Sequence, residues 1–537
     1  MTTLADTPAP WRRRSARGRD WQLLALLLCL PTCVPLLAAA LAWTHEDAAT
    51  TSHLLEHVLP LASANTLWLV LGVVLGSTLI GTTLAALVAL TEFPGRQFFS
   101  WALLLPLALP GYVMAVALIG LFDYAGTIPS MLRAIGFEAY WEFRSLGGLT
   151  LTMVLALYPY VYLVARQAFA SQGLRAIEAA RALGMTSSMA FFRASLPLAR
   201  PAIAAGALLV AMETVADFGT VSAFNVDTLT SAIYKAWFSL FSIDAALRIA
   251  GVLLLLVLAL LVIEARGRSQ QGFTSVGANP VKALPLARRG LWASAFCGVI
   301  FAVAFLLPLT RLIWLAAPHY LQIDHRWLGF AANSLLLGLS AAAICVLVAL
   351  LLALAVRERQ GIATRSAHRL ATLGYGLPGA LLAVGLYLPF ARASSWLADQ
   401  FQWDIALHGS LGLLLLAYMV RFTAVAQAAV DSALARVRPS LVEAARTLGV
   451  RGWRLGARVH APLMSGGLIT GAVLVFVDTM KEMPITLMMR PFGWDTLATR
   501  VFELTNEGLW AQAALPALAI VLVGLLPVWW LQKRTAA

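Results

Sequence analysis

Charge is what this chain has little of. Only 12% of its 537 residues are Asp, Glu, Lys or Arg, while 60% are hydrophobic and the mean hydropathy is +0.80. A soluble domain carries about a quarter charged residues, so the deficit excludes an ordinary water-soluble fold. Cysteine is also scarce. Cys29, Cys33, Cys297 and Cys345 all lie in apolar runs and no CxxC occurs. That excludes a disulfide scaffold or thiol redox motif and leaves four small buried hydrophobes. Two further absences concern chemistry. No GxxxxGK[ST] phosphate loop exists, so the chain is not expected to be its own ATPase. No Ser-His-Asp arrangement or HExxH stands on the apolar runs, which leaves a membrane enzyme without a polar catalytic cluster.

What is present is a series of apolar runs, each near the roughly 20 residues a membrane span needs. The net charge of +13 is scattered over the short loops between them. That scatter excludes a basic nucleic-acid face and reads instead as membrane topology. Twelve spans are expected, at about 21–43, 66–90, 101–122, 147–165, 201–221, 246–264, 291–313, 332–356, 371–391, 409–428, 464–485 and 511–531. Arg12, Arg13, Arg14, Arg17 and Arg19 precede the first run, and Glu46, Asp47 and Glu56 follow it, which places the N-terminus in the cytoplasm. Arg266, Arg268, Lys282, Arg288, Arg289, Arg357, Arg359, Arg365 and Arg369 then fall in inner loops, and Lys533 and Arg534 put the C-terminus on the same side. Ala38-Ala39-Ala40 would serve as a signal cleavage region. The run is long for a signal core, however, and the similar run Leu291–Ile313 opens the second half, so the first is expected to be a retained span.

The chain repeats itself. Asn65-Thr66-Leu67 recurs as Asn333-Ser334-Leu335, 268 positions on (333 − 65), and Leu109-Pro110-Gly111 as Leu377-Pro378-Gly379 at the same offset. A polar segment, Glu178-Ala179-Ala180-Arg181-Ala182-Leu183-Gly184, recurs 265 positions on as Glu443-Ala444-Ala445-Arg446-Thr447-Leu448-Gly449. Asp227-Thr228-Leu229 returns at 268 as Asp495-Thr496-Leu497. Four landmarks in one order indicate a parallel tandem duplication. The expected fold is an all-α integral membrane protein of about twelve transmembrane helices in two tandem six-helix halves. Residues 1–60 form the N-terminus, first span and outer loop. The two repeat domains cover 61–264 and 330–532, joined by a linker and seventh span at 265–329.

Each polar segment falls in a loop assigned to the cytoplasm. Glu-Ala-Ala-Arg favours helix, the glycine supplies a turn, and Leu196-Pro197 or Ala461-Pro462 is expected to restrict the backbone before the next span. Two short helices with a bend would project a small surface. A second constellation lies at the ends of two spans. Glu213 and Asp217 are four apart, which predicts one helical face, and Asp478 and Glu482, with Lys481 between them, answer at an offset of 265. Acids at such depth cost several kcal/mol. Two readings stay open: these five residues line a polar pathway through the bundle or its gate, or Lys481 neutralises an acid and locks the bundle. His53 and His57, with His45, His319 and His325 in outer loops, read as solvated side chains and not as a metal site.

The spacing Glu-Ala-Ala, three residues, Gly, nine residues, then a hydrophobic-x-Leu-Pro resembles the coupling motif of bacterial ABC importer permeases, over roughly 61–264 and 330–532. Ala194 stands where a branched apolar residue is usual, and Ala461 where leucine is usual. The resemblance implies the type I importer transmembrane fold in the bacterial inner membrane. It also implies that Glu178, Ala179, Ala180 and Gly184 dock on one ATPase subunit, and Glu443, Ala444, Ala445 and Gly449 on a second copy. An extracytoplasmic solute-binding protein would deliver cargo. The surroundings would be membrane lipid, with no nucleic acid. The chain itself would bind no cofactor or metal, ATP and Mg residing on the partners. The stretches Thr228 through Trp237 and Met489-Arg490-Pro491-Phe492 resemble ferric-iron permeases, which implies ferric iron as cargo; thiamine or another small solute is the alternative. From a different class, an ion-coupled secondary transporter also uses repeats and buried acids, but its inner loops would not need matched docking motifs.

Overall fold

The computed structural model describes residues 14–44, 48–137, 142–268, 283–318, 325–359, 361–403, 406–450 and 452–536. Arg12, Arg13, His45, Glu46, Asp47, Lys282 and His319 lie outside these, as does most of the linker, 269–282. Nearly all described residues are helical, with one two-residue parallel pairing of Thr91–Glu92 on Leu284–Pro285.

Ten described helices are long and apolar enough to cross a membrane, from Arg19–Thr44 to Leu411–Ala435. Gly456–Leu463 and Ser465–Lys481, bent by 73°, make an eleventh if taken as one span, and Trp510–Leu525 is a shorter apolar helix. Leu67, Leu71, Leu75 and Leu79 recur every four residues on one exposed face of Leu59–Leu90. A stripe of that kind belongs against lipid, since soluble monomers rarely leave so much apolar surface uncovered. Cys29, Cys297 and Cys345 are buried, Cys33 is half-buried, and all four are free thiols.

Several span limits differ from the expectation. The stretch 101–110 is not span: a 3-10 turn at Leu105–Ala108 and extended Leu109 and Pro110 delay the helix to Gly111. The second repeat likewise starts its helix at Gly379, not at 371. The Leu-Pro step favours this break, because proline disfavours the α region for the preceding residue, and Leu109 and Leu377 are extended. At the other side of each repeat, 201–221 stops at Ala216 and 464–485 at Lys481, with Asp217 (ψ 130°) and Glu482 (ψ 123°) extended. The expectation that Glu213 and Asp217, or Asp478 and Glu482, share one helical face is therefore corrected. The helix ends between the two acids of each pair.

The contacts divide the chain into two compact units that cut across the repeats. One contains residues 1–41, 332–485 and 489–493; the other contains 42–331, 486–488 and 494–537. In the first, helix Arg14–Leu41 packs on Ile362–Thr372 and Gly379–Phe401, and Gly385 lets the helix carrying Pro35 approach closely, since a Cβ there would meet Pro35 Cα at 2.8 Å. Ala25, Cys29, Leu352, Ala355 and Ala367 form its core beside that contact. In the second, helices Leu59–Leu90, Leu146–Ala168 and Leu196–Ala216 make the densest packing. Gly81 and Gly206 lie against the backbone of Tyr158 and Val161, at 2.8 and 2.9 Å from a hypothetical Cβ. Small residues at helix crossings are the means by which helices associate in lipid, where burial of apolar area supplies no drive.

Candidate functional site

Each polar segment forms a short amphipathic helix that ends in the same turn. The first, Leu174–Ala182, buries Leu174, Ile177 and Ala180 and exposes Glu178, Ala179, Arg181 and Ala182. The second, Pro439–Thr447, buries Val442, half-buries Ala445 and exposes Glu443, Ala444, Arg446 and Thr447. Thus Ala180 and Ala445 face their own unit, and the outward surface is carried by Glu178, Ala179, Glu443 and Ala444. The helices end at Leu183 and Leu448. Gly184 (φ +86°) and Gly449 (φ +83°) follow in the left-handed region, where a side chain is strained. Their N–H groups donate to Arg181 O and Arg446 O, and those of Met185 and Val450 to Ala180 O and Ala445 O. Both are Schellman caps. A Cβ on either glycine would meet nothing within 4 Å, so the requirement is backbone conformation together with an uncovered surface.

The cap turns a leucine outward in each copy. Leu183 is 82% exposed and Leu448 83%. Composition and spacing mark neither leucine as a surface residue, and the one local signal for them is the Leu-Gly step that stands in both copies.

The returns to the membrane differ. In the first repeat a helix runs from Ser187 through the π-turn Phe191–Ser195 to Ala216 without a break. Leu196 is helical there (φ −64°, ψ −43°), so Leu196-Pro197 does not interrupt the chain as expected. The π-turn offers an alternative hydrogen-bond pattern where proline has no N–H to give. In the second repeat the helix does bend by 73°, at Met464, before Ser465-Gly466-Gly467.

The remaining landmarks meet one another in space. Asp217 accepts from Thr220 N (2.9 Å), Thr220 Oγ1 (2.7 Å) and Val221 N (3.2 Å), capping helix Gly219–Ala223. Glu482, 6% exposed, accepts from Ile485 N at 3.0 Å and starts the helix at Pro484. The Leu-Pro-Gly turns lie on these carboxylates. A Cβ at Gly111 would stand 3.3 Å from Asp217 Oδ2 and collide with Thr220 Oγ1; one at Gly379 would stand 3.0 Å from Glu482 Oε1. Thr228 and Thr496 open the following helices with capping boxes to Ser231 and Thr499. The first landmark reaches the turn just before: Asn65 Nδ2 donates to Asp227 O (2.8 Å) and Asn333 Nδ2 to Gly493 O (3.2 Å). Glu213, Asp478 and Lys481 are half-buried in the last turns of their helices. His53 and His57 stack with ring centroids 5.1 Å apart near the start of helix Thr50–Leu90.

Comparison with known proteins bears on both repeats. The family model for the binding-protein-dependent transport system inner membrane component matches residues 77–274 and again 329–535. The Fe(3+)-transport system permease protein FbpB 2 of Haemophilus influenzae is 26% identical over 523 residues, covering 95% of this chain and 97% of that protein. The putative 2-aminoethylphosphonate transport system permease protein PhnV of Salmonella typhimurium is 28% identical over 249 residues, 43% of this chain and 89% of its own. A looser likeness is to the solved bacterial alginate ABC transporter in complex with alginate pentasaccharide-bound periplasmic protein. It has TM-score 0.36 at 16% identity, over 46% of this chain and 93% of that one, too little to set residues in correspondence. With the family model matched on both repeats, the chain belongs to the binding-protein-dependent transport system inner membrane components: it is the fused, multi-pass permease subunit of an ABC importer.

Proposed function

We propose that this permease imports ferric iron, delivered from outside by a solute-binding protein, and that it is driven by two separate ATPase subunits seated on Glu178–Gly184 and Glu443–Gly449. The observation that carries the ATPase assignment is the pair of identical Schellman-capped handles, each offering a carboxylate, a bare alanine and an outward leucine in the same order. An apolar anchor flanked by one charge suits a cleft on a partner. ATP and Mg would be held by the partners, this chain containing no phosphate loop. The handles would lie in the cytoplasm with both termini, as the distribution of Arg and Lys directs. ATP-driven closure of the subunits would bias the permease between outward- and inward-open states through differential contacts at the handles.

Ferric iron is supported by the full-length likeness to a permease of that name, since the phosphonate-system relative matches over less than half of this chain. Asp217 and Glu482 serve in this reading as caps of two helix breaks, with Glu213, Asp478 and Lys481 on the turns that lead into them. The breaks are the elements most suited to gating, because a capped interruption can re-form in a second arrangement.

The test is transport in reconstituted vesicles holding the full chain, its ATPase and its binding protein, with ferric iron, thiamine and 2-aminoethylphosphonate offered separately. ATP-dependent accumulation of iron alone is expected. Uptake of either organic solute in preference to iron would overturn the cargo assignment. Uptake persisting when Gly184 and Gly449 are both replaced by valine would overturn the docking assignment.

A further inference from the structure

A cavity of about 470 Å³ opens in the first repeat where three elements end together. Val88 closes it from the last turn of Leu59–Leu90; Arg96, Gln97 and Ser100 come from the short helix Arg96–Ala102; Arg166 and Gln167 come from the last turn of Leu146–Ala168. The lining has two guanidinium groups, two amides and a hydroxyl, and no acid. Both arginines are held by backbone carbonyls. Arg96 Nε donates to Val88 O at 2.8 Å, and Arg166 Nη1 donates to Ser100 O, which also receives the Tyr162 hydroxyl at 3.1 Å. Carbonyls orient a guanidinium without neutralising it. Among the described residues neither arginine has a carboxylate partner.

The second repeat shows what the same place looks like when an acid with its own hydrogen-bond partners occupies it. The serine N-caps Ser145 and Ser410 fix the offset of this helix at 265, and the Leu-Pro-Gly turns fix that of the short helix at 268. Arg166 therefore corresponds to Asp431, Ser100 to His368 and Arg96 to Thr364. There His368 Nε2 lies 3.3 Å from Asp431 Oδ2, Gln427 Nε2 donates to Asp431 Oδ1 at 2.8 Å, and Thr364 is buried. An acid and its partners fill the position. In the first repeat two half-exposed guanidinium groups stand around an opening instead.

We propose that this cavity binds the phosphate group of an anionic phospholipid. The position selects a lipid as the source. The cavity lies at the ends of two helices long and apolar enough to cross a membrane, Thr50–Leu90 and Leu146–Ser171, the part of such a helix that meets headgroups. Basic recesses at that level attract anionic headgroups, and a guanidinium matches phosphate oxygens bidentately. The amides of Gln97 and Gln167 supply further donors, while Val88, Ala89 and Ala170 provide an apolar wall for the start of the chains. The site is on the same end of the repeat as the first handle, because Leu146–Ala168 leads directly through Phe169–Gly173 into Leu174–Ala182.

Native mass spectrometry of the purified full chain tests this, with phosphatidylglycerol and phosphatidylcholine titrated in parallel. The wild type is expected to retain phosphatidylglycerol in preference. The double variant Arg96→Gln, Arg166→Gln is expected to bind it on the order of tenfold more weakly. A second variant, Ser100→His with Arg166→Asp, copies the balanced arrangement of the other repeat and is expected to lose the preference while its thermal unfolding midpoint in lipid-free detergent is kept. Should the first variant fail to fold, Arg96→Gln alone, which gives up a single carbonyl contact, is expected to weaken binding about threefold. Equal retention of the two lipids by the wild type, or equal phosphatidylglycerol binding by the wild type and the variants, would overturn the proposal. So would displacement of phosphatidylglycerol by inorganic phosphate that also raises the unfolding midpoint of lipid-free protein, which would assign the cavity to a soluble anion.

Discussion

In the first repeat the handle helix leaves its span through the π-turn Phe169–Gly173 and re-enters an unbroken helix that runs to Ala216. In the second it starts afresh at Pro439 and returns through a 73° bend at Met464. The mounts differ too. Arg446 Nη2 pairs with Glu358 Oε1 at 2.7 Å, and Arg357 donates to Leu434 O and Val437 O, closing the end of Leu411–Ala435. The counterpart of Glu358 in the first repeat is Leu90, which is buried and offers no charge. One handle is thus an extension of continuous helix, and the other a jointed piece tied to a neighbouring helix by an ion pair. Matched exposed surfaces do not require matched supports. The first handle is followed by the continuous rod Ser187–Ala216, and the second by a joint.

The largest expected effect removes what the two handles share. Gly184→Val or Gly449→Val places a branched side chain in the left-handed region at about 1–2 kcal/mol and covers an open face, so ATP-dependent uptake should fall to background with membrane insertion unchanged. Equal loss from the two variants would show the handles to be equivalent in coupling; residual uptake in one alone would show the jointed handle and the rod to be unequal. Replacing the exposed leucines by aspartate should come next. Leu183→Asp and Leu448→Asp are each expected to weaken ATPase co-purification roughly 30-fold, as for an interface anchor worth about 2 kcal/mol, and unaltered co-purification would remove leucine from the docking surface.

The helix breaks sharpen the comparison at intermediate size. Asp217→Ala should cost about 1–2 kcal/mol in thermal unfolding, the usual loss for an N-cap, while Asp217→Asn should cost little because asparagine caps equally well. Uptake should follow the same order. If Asn abolishes iron uptake at wild-type stability, the carboxylate charge serves cargo and the cap reading fails. The smallest effect belongs to the mount. Glu358→Gln breaks a half-exposed ion pair and should cost under about 1 kcal/mol, yet increase protease cleavage at the second handle without altering the first.

Much of this was legible in the residues. The duplication, the apolar runs, the two handles and the terminal glycine of each required only local information, since helix propensity and a left-handed cap act within a few positions. The four repeated landmarks were also visible, but as separate motifs. That Asn65 holds the turn before Thr228, and that Gly111 lies on the carboxylate of Asp217, joins positions more than a hundred apart. Periodicity continued each span past its acid because Phe218 and Val221 are apolar, and it could not register that a carboxylate caps a new helix there.

The sequence by itself determined the membrane class, the repeat and the place of the handles, because hydropathy and local turn chemistry are properties of short stretches. Tertiary structure alone decided which face of each handle is uncovered, that helix Arg14–Leu41 joins the second repeat's unit, and that one repeat leaves two arginines around a cavity where the other sets an aspartate against a histidine. Those outcomes rest on contacts between distant segments, where a residue's neighbours, and not its own type, settle what it does.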